Sequence, residues 1–187
     1  MTNSLSKAQI LDYLSNKLSL FNIPELMFFR VEEYQGNQES IIDEVISKFS
    51  GRIIVVRSSS ATEDGKASTK AGQFDSILNV ESNNPVMIRS AIDSVIKSYQ
   101  DKGTPSIEDE ILIQTMISDT SMSGVVFTQD LNTGAPYYVI NYDDVSGSTE
   151  TVTSGEGEYS NRTMYVYREQ VDFLRSERFQ SLLNALE

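Results

Sequence analysis

Arg52-Ile-Ile-Val-Val-Arg57, running straight into Ser58-Ser-Ser60, is the stretch on which the fold turns. Four consecutive β-branched residues make a strand that is apolar on both faces, as a sheet flanked by helices requires. Such a strand ending in arginine puts a guanidinium at its carboxyl end. In open α/β sheets ligands bind there, and an Arg so held can make paired hydrogen bonds to phosphate oxygens. The other reading of Arg57 is a side chain that snorkels out of the sheet and pairs with Glu63 or Asp64.

Upstream, Ile41, Ile42, Val45, Ile46 and Phe49 recur at helical spacing until Gly51 stops them. Leu26 to Val31 has strand character. Ile10, Leu11, Leu14, Leu18 and Phe21 predict an earlier amphipathic helix that Pro24 ends. Downstream, Ser58 to Gln73 is rich in small and hydroxyl residues and reads as a loop. Arg52, Arg57, Lys66 and Lys70 against Glu63 and Asp64 give the stretch Gly51 to Gln73 a net charge of +2 in a chain of net charge −12. Within it, Lys66-Ala-Ser-Thr-Lys-Ala-Gly-Gln73 suits an anion, because small residues let backbone N–H groups approach phosphates and Lys adds a point charge. A solvated turn is the alternative. It is not a P-loop, since Gly-x-x-x-x-Gly-Lys is absent from the chain.

Phe74 to Val80 reads as a strand. Asn84-Pro85 opens a helix whose apolar face is Ile88, Ala91, Ile92, Val95, Ile96 and Tyr99. The polar stretch Asp101 to Asp109, with Gly103, Thr104 and Pro105, predicts a boundary between regions 1–105 and 106–187. Short β-rich runs follow at Ile111 to Ile117, Gly124 to Thr128, Tyr137 to Tyr142 and Thr163 to Tyr167, with a hairpin turn at Asn132-Thr-Gly134. By spacing alone, Gln114-Thr-Met-Ile117 and Ser123-Gly-Val-Val-Phe-Thr128 demand no more than sheet structure. Asn141 to Glu158 reads as a loop. Its acids Asp143, Asp144, Glu150, Glu156 and Glu158 lack the rigid frame of a hard-cation site. Phe173 to Leu186 closes the chain as a helix.

Composition excludes several chemistries. The 187 residues include 27 acids and 15 bases but no His, Cys or Trp, so there is no Ser-His-Asp triad, no phosphohistidine relay, no ordinary zinc site and no disulfide. The charge of −12 disfavours nucleic-acid backbones. No apolar run approaches the ~20 residues needed to span a bilayer, and the first residues lack the order of a signal peptide, so a cytoplasmic address without membrane attachment is expected.

Val56-Arg-Ser-Ser-Ser-Ala-Thr-Glu-Asp-Gly65, Ala67-Ser-Thr-Lys-Ala-Gly-Gln-Phe-Asp-Ser-Ile-Leu-Asn-Val80, Ile113-Gln-Thr-Met-Ile117 and Ser123-Gly-Val-Val-Phe-Thr128 together resemble, in order and spacing, the ATP-grasp nucleotide-binding domain of the phosphoenolpyruvate synthase and pyruvate phosphate dikinase family. The resemblance covers most of the chain. It implies an α+β, ATP-grasp-like fold of two subdomains, 1–105 and 106–187, with mixed sheets and flanking helices, the second incomplete, and with ATP lying between the two. Arg57 stands where the family has its phosphate-contacting Arg. Thr69, Lys70, Gly72 and Gln73 fall in the loop that covers the phosphates. Gln114 to Ile117, including Met116, occupy the hinge whose backbone meets adenine. Lys7, in Ser6-Lys-Ala-Gln9, matches the Lys of the family's N-terminal Gly-Gly-Lys, although both glycines are missing here.

Two further departures bear on function. Where the family has Trp-Gly-Leu-Gly-Glu, this chain has Asn141-Tyr-Asp-Asp-Val-Ser-Gly-Ser-Thr-Glu150, the pattern of a divergent branch. The family's metal-binding Asp-x-Glu occurs nowhere in these residues, so a truncated chain is expected, with its Mg²⁺ ligands outside it. The expectation is the ATP-binding part of a phosphotransferase that passes a phosphoryl group from ATP to a small acceptor in the full-length protein, inactive as a fragment. Its partners would be ATP, that acceptor and the protein's remaining domains. A non-catalytic nucleotide-binding regulatory module is the second reading, and an acidic protein-interaction domain the third.

Overall fold

The β-branched run forms a central strand covered on both sides. The computed structural model describes residues 5–60, 76–102, 106, 108–149, 152 and 162–186. The chain divides into two units, Met1–Ile117 and Ser118–Glu187. The first contains α1 (Lys7–Ser15), β1 (Leu26–Arg30), α2 (Val31–Gly36), α3 (Gln38–Phe49), β2 (Ile53–Ser59), β3 (Ser76–Glu81), α4 (Pro85–Lys102) and β4 (Glu110–Thr115). Its sheet has the order β1-β4-β2-β3.

Every neighbouring pair in that sheet is antiparallel, which corrects the expectation of mixed sheets. The reason is topological. β1 and β2 run the same way and are joined by α2 and α3, as β3 and β4 are by α4, but β4 lies between the first pair and β2 between the second. Each crossover is a split βαβ unit whose parallel strands never touch. Ile54 and Val56 of β2, with Ile111 and Ile113 of β4, pack against Ile42, Val45 and Phe49 of α3 and Ile88, Ile92 and Val95 of α4. On the opposite face, Leu112 and Leu26 pack with Ala8 and Leu11 of α1. With helices on both sides, the strand has no polar face to keep.

Local signals end the elements where their chemistry dictates. Gly51, at φ +74°, terminates α3 in the left-handed conformation that costs glycine least, and the Arg52 N–H returns to the Phe49 carbonyl at 3.0 Å. Asn84 caps α4, its Oδ1 accepting from the Val86 and Met87 N–H groups at 3.2 Å each, with Pro85 in the first turn. The ladder between β2 and β3 slips between Ile54, paired with Val80, and Val56, paired with Ile77. The extra residue of this β-bulge is accommodated by Asn79 at φ +57°. The expected boundary at 105/106 falls instead after Ile117, because β4 pairs with both β1 and β2. Asp119, at φ +56°, is the second residue past that division. Turn residues between a helix and a strand of one sheet have the same composition as an interdomain linker.

The second unit contains β5 (Ser123–Phe127), β6 (Tyr137–Asp143), β7 (Arg162–Tyr167), a 3₁₀ segment (Arg168–Phe173) and α5 (Glu177–Asn184), with an antiparallel sheet in the order β5-β6-β7. Tyr138, Ile140 and Val166 on one face pack with Phe179 and Leu183 of α5. The hairpin turn expected at Asn132-Thr-Gly134 is present: Asp130 Oδ1 accepts from the Asn132 and Thr133 N–H groups at 2.9 and 2.8 Å, and Gly134 takes φ +70°. β6 covers the expected run Tyr137 to Tyr142 and takes in Asp143, so the stretch from Asn141 expected as loop begins inside the strand. The single C-terminal helix is two pieces, with Phe173 82% exposed at their junction. α+β with two antiparallel sheets and flanking helices, the architecture is ATP-grasp-like.

Asp144, just past β6, binds Arg162 at the start of β7 and Arg178 of α5. The Arg178 hydrogen bond, reinforced by the charges of both guanidiniums, holds the Asp144 carboxyl below the usual carboxylate range. A carboxyl depressed on folding contributes stability above its unfolded pKa of ~3.9 and loses it as pH falls through the lower folded value. Asp144→Asn is therefore expected to lower the melting temperature at pH 7, and the gap from the parent should close in acid below about pH 4. A gap independent of pH, measured by calorimetry across that range, would contradict the ion-pair account.

Candidate functional site

In the β2–β4 ladder, Val55 opposes Gln114, Arg57 opposes Leu112 and Ser59 opposes Glu110. Opposed residues share a face, as do residues two apart on a strand, so these six side chains lie on one face. That face is the one on which α1 packs, since Leu112 clusters with Ala8. Glu110 and Gln114 are the diagonal neighbours of Arg57 on β4, ~7–8 Å away by strand geometry.

Arg57 is half-buried, and its Nε is buried with no hydrogen-bond partner among the described residues. No salt bridge to it is found there either. The carboxylates proposed as its pairing alternative, Glu63 and Asp64, lie outside the described residues, as do Thr69, Lys70, Gly72 and Gln73. The strand that follows them, β3, begins at Ser76 directly opposite Arg57. Arg52, counted toward the local positive charge, sits at the other end of β2 and pairs with Glu25.

Lys7 is the first residue of α1 and is exposed. Its neighbours are tied down: the Ala8 N–H donates to Ser59 Oγ at 2.9 Å, and Ser6 Oγ donates to Glu110 Oε2 at 2.5 Å. The Lys7 backbone is thereby held beside the end of β2, two residues along the strand from Arg57. Ser59 is fixed in turn, its N–H donating to Tyr99 Oη at 2.8 Å while that hydroxyl donates to the Glu110 carbonyl at 2.8 Å. Ser58, Ser59 and Ser60 are all buried.

Gln114 is buried in mid-sheet, its backbone committed to β1 and β2. The Thr115 N–H donates to the Glu25 carbonyl at 3.0 Å and the Met116 N–H to the Ile53 carbonyl at 2.9 Å, so sheet pairing has already taken these hinge donors. Beyond them the chain leaves the sheet, and Ile117 is 55% exposed. The structure thus brings Lys7, Arg57 and Gln114 to one sheet face and leaves Met116 and Ile117 at its end. Among the described residues no group of three or more acidic side chains converges as a metal site, and no helix is long and apolar enough to cross a membrane.

Ser6, Gln9, Ser59, Tyr99 and Glu110, which fasten the first turn of α1 to the sheet, are not among the site residues the sequence singles out. A signal for two of them was available, because Ser6-x-x-Gln9 ahead of an apolar run is a capping-box pattern. Glu110 carries no local signal, since its partners lie a hundred residues away.

The profile of the family described as pyruvate phosphate dikinase, AMP/ATP-binding domain, matches residues 32–181, which include Arg57, Gln114 and Met116 but not Lys7. The chain is 31% identical over 112 residues to the prodigiosin synthesizing transferase PigC of Serratia marcescens, a match covering 57% of this chain and 12% of that protein. It is also 31% identical over 106 residues to the uncharacterized phosphotransferase YvkC of Bacillus subtilis strain 168, covering 49% of this chain and 13% of the relative. The matched part is therefore a small fraction of the length of either relative.

Proposed function

The chain belongs to the family of the pyruvate phosphate dikinase AMP/ATP-binding domain, and from that premise we propose that it binds the phosphates of ATP on the α1 face of its first sheet, as the nucleotide-binding part of a phosphotransferase. The observation that carries this reading is Arg57, a half-buried guanidinium whose Nε has no described partner. Leaving a buried donor unpaired costs ~1–3 kcal/mol, so a fold that keeps one two residues before the end of a central strand is consistent with an anion that completes it. Phosphate oxygens match the planar fork of Arg, and Lys7 adds a second positive charge near the same strand end.

In this proposal Arg57 and Lys7 orient the phosphates and offset their charge, which is most of what phosphoryl transfer asks of a protein. Thr69, Lys70, Gly72 and Gln73 are proposed to cover the phosphates. Gln114 is proposed to close the inner end of the base site, and the chain from Met116 onward to meet adenine. The described residues offer no acidic cluster for Mg²⁺; its ligands are proposed to come from elsewhere in the full-length protein. The acceptor is proposed to be a small molecule and the setting cytoplasmic. Both relatives carry transferase names, which supports group transfer without naming the acceptor.

Calorimetric titration with ATP and Mg²⁺ tests the reading, first on this chain and then on a polypeptide that also carries the family's Asp-x-Glu segment. Weak binding by the chain that tightens with the added segment is the expected result. Tight binding without phosphoryl transfer in the longer polypeptide would favour a regulatory nucleotide-binding module, and no binding in either would overturn the nucleotide reading.

A further inference from the structure

Glu110 is a carboxylate only 3% exposed, and no ion pair to it is found among the described residues. Its two oxygens divide between two donors: Ser6 Oγ to Oε2 at 2.5 Å and Gln9 Nε2 to Oε1 at 2.7 Å. Those donors are the two members of the capping box of α1. Ser6 Oγ accepts from the Gln9 N–H at 3.2 Å, and Gln9 Oε1 accepts from the Ser6 N–H at 3.4 Å. A capping box is normally closed on itself. Here a single carboxylate from a central strand, 104 and 101 residues away in sequence, grips both halves of it. The negative charge also lies at the positive end of the helix dipole, which helps to offset the cost of burying it.

Lys7 lies between the gripped Ser6 and Ala8, whose N–H is held by Ser59 on the adjacent strand. The first turn of α1 is therefore fastened on both sides of the lysine, to β4 through Glu110 and to β2 through Ser59. We propose that Glu110 is a positioning residue, which clamps the capping box of α1 so that Lys7 is held on the Arg57 face for the nucleotide phosphates. This rests on the phosphate reading above. It assigns work to a buried acid that the binding chemistry itself leaves idle. It also accounts for one of the two glycines missing before Lys7: Ser6 uses its side chain to dock the segment, which glycine could not do.

The test compares ATP affinity in Lys7→Ala, Glu110→Ala, Glu110→Gln, Gln9→Ala and the double variants that combine each with Lys7→Ala, alongside hydrogen exchange of the α1 amides. Glu110→Ala and Gln9→Ala are expected to speed exchange at Ala8 to Leu11 by about 5-fold, the scale of a lost cap. They should weaken ATP binding about as much as Lys7→Ala does, ~10-fold or more for a lost contact to a charged group. Each double variant should bind no worse than Lys7→Ala alone, since residues acting as one unit are not additive. Glu110→Gln should recover most of the affinity, its amide oxygen accepting from Gln9 and its nitrogen donating to Ser6 Oγ. A merely stabilising Glu110 would give losses that add to that of Lys7→Ala, and that result overturns the proposal. If Glu110→Ala fails to fold, Gln9→Ala breaks the same link from the helix side and decides alone. Weakened binding in Lys7→Ala with unchanged binding in Gln9→Ala and Glu110→Ala overturns the positioning role only. Unchanged binding in Lys7→Ala overturns the phosphate reading of that residue, and the positioning role with it.

Discussion

Arg57→Met is expected to weaken ATP binding by ~1.5–3 kcal/mol, about 10- to 150-fold, while leaving the ligand-free protein as stable as the parent or more so. The two halves of this result share one cause. Arg57 keeps a buried Nε without a described partner on a strand whose preceding four residues are Ile and Val. In the absence of ligand that donor is a liability, and an unbranched apolar side chain of similar length removes it without opening a cavity. With ATP present the same guanidinium would supply charge-assisted hydrogen bonds that methionine lacks. Opposite signs for binding and stability are the mark of a residue kept for its ligand. Paired melting and calorimetric titrations of the variant decide it. A fall of several degrees in the ligand-free melting temperature with unchanged ATP affinity would make Arg57 a structural residue and withdraw it from the site.

Much of the fold was legible because its signals are local. Periodicity placed α3 and α4, Asn84-Pro85 and Gly51 marked their ends, and β-branched runs located the strands to within a residue or two. What was not legible is long-range. Nothing near Glu110 says that it faces Ser6, and nothing near Arg52 says that Glu25 takes its charge. Strand order is hidden for the same reason: a parallel βαβ unit and a split one have the same sequence pattern, so the sheets read as mixed when they are antiparallel. The boundary drawn at 105 failed because composition reports turns, while division into units depends on which strand pairs with which. Of the site, Arg57 was visible as a charge at the end of an apolar run, whereas Gln114 and Lys7 entered only through resemblance. The clamp on α1 became visible once the register placed Ser59 opposite Glu110.

Gly124→Ala is expected to destabilise the second unit by ~1–3 kcal/mol, although the change adds one methyl group to an edge strand. A Cβ at position 124 would lie 2.4 Å from the Asn141 carbonyl oxygen and 3.1 and 3.2 Å from Cα and Cβ of Tyr142. The first contact is with backbone, which cannot rotate away as a side chain could. Among the described residues β5 pairs only with β6, Gly124 opposing Tyr142. Relief therefore requires β5 to lift from its one partner or Tyr142 to shift. Tyr142 is not free to move without cost, since its ring meets Phe179 of α5 edge-on at 5.0 Å between centroids. The strain would pass from an edge residue into the helix–sheet core, whose close packing is hardly compressible and transmits strain rather than absorbing it. For a chain of this length each kcal/mol corresponds to about 2–4 °C in melting temperature. Hydrogen exchange locates the damage: amides of β5 and β6 should exchange faster in Gly124→Ala while those of β2 and β4 keep parental rates. Parental exchange throughout β5 and β6 would mean that the strand accommodates a side chain, and the glycine in Ser123-Gly-Val-Val-Phe-Thr128 would then need a reason other than this close approach. The same geometry gives that motif a structural cause that does not depend on any nucleotide, which separates the part of the family likeness held by packing from the part held by Arg57.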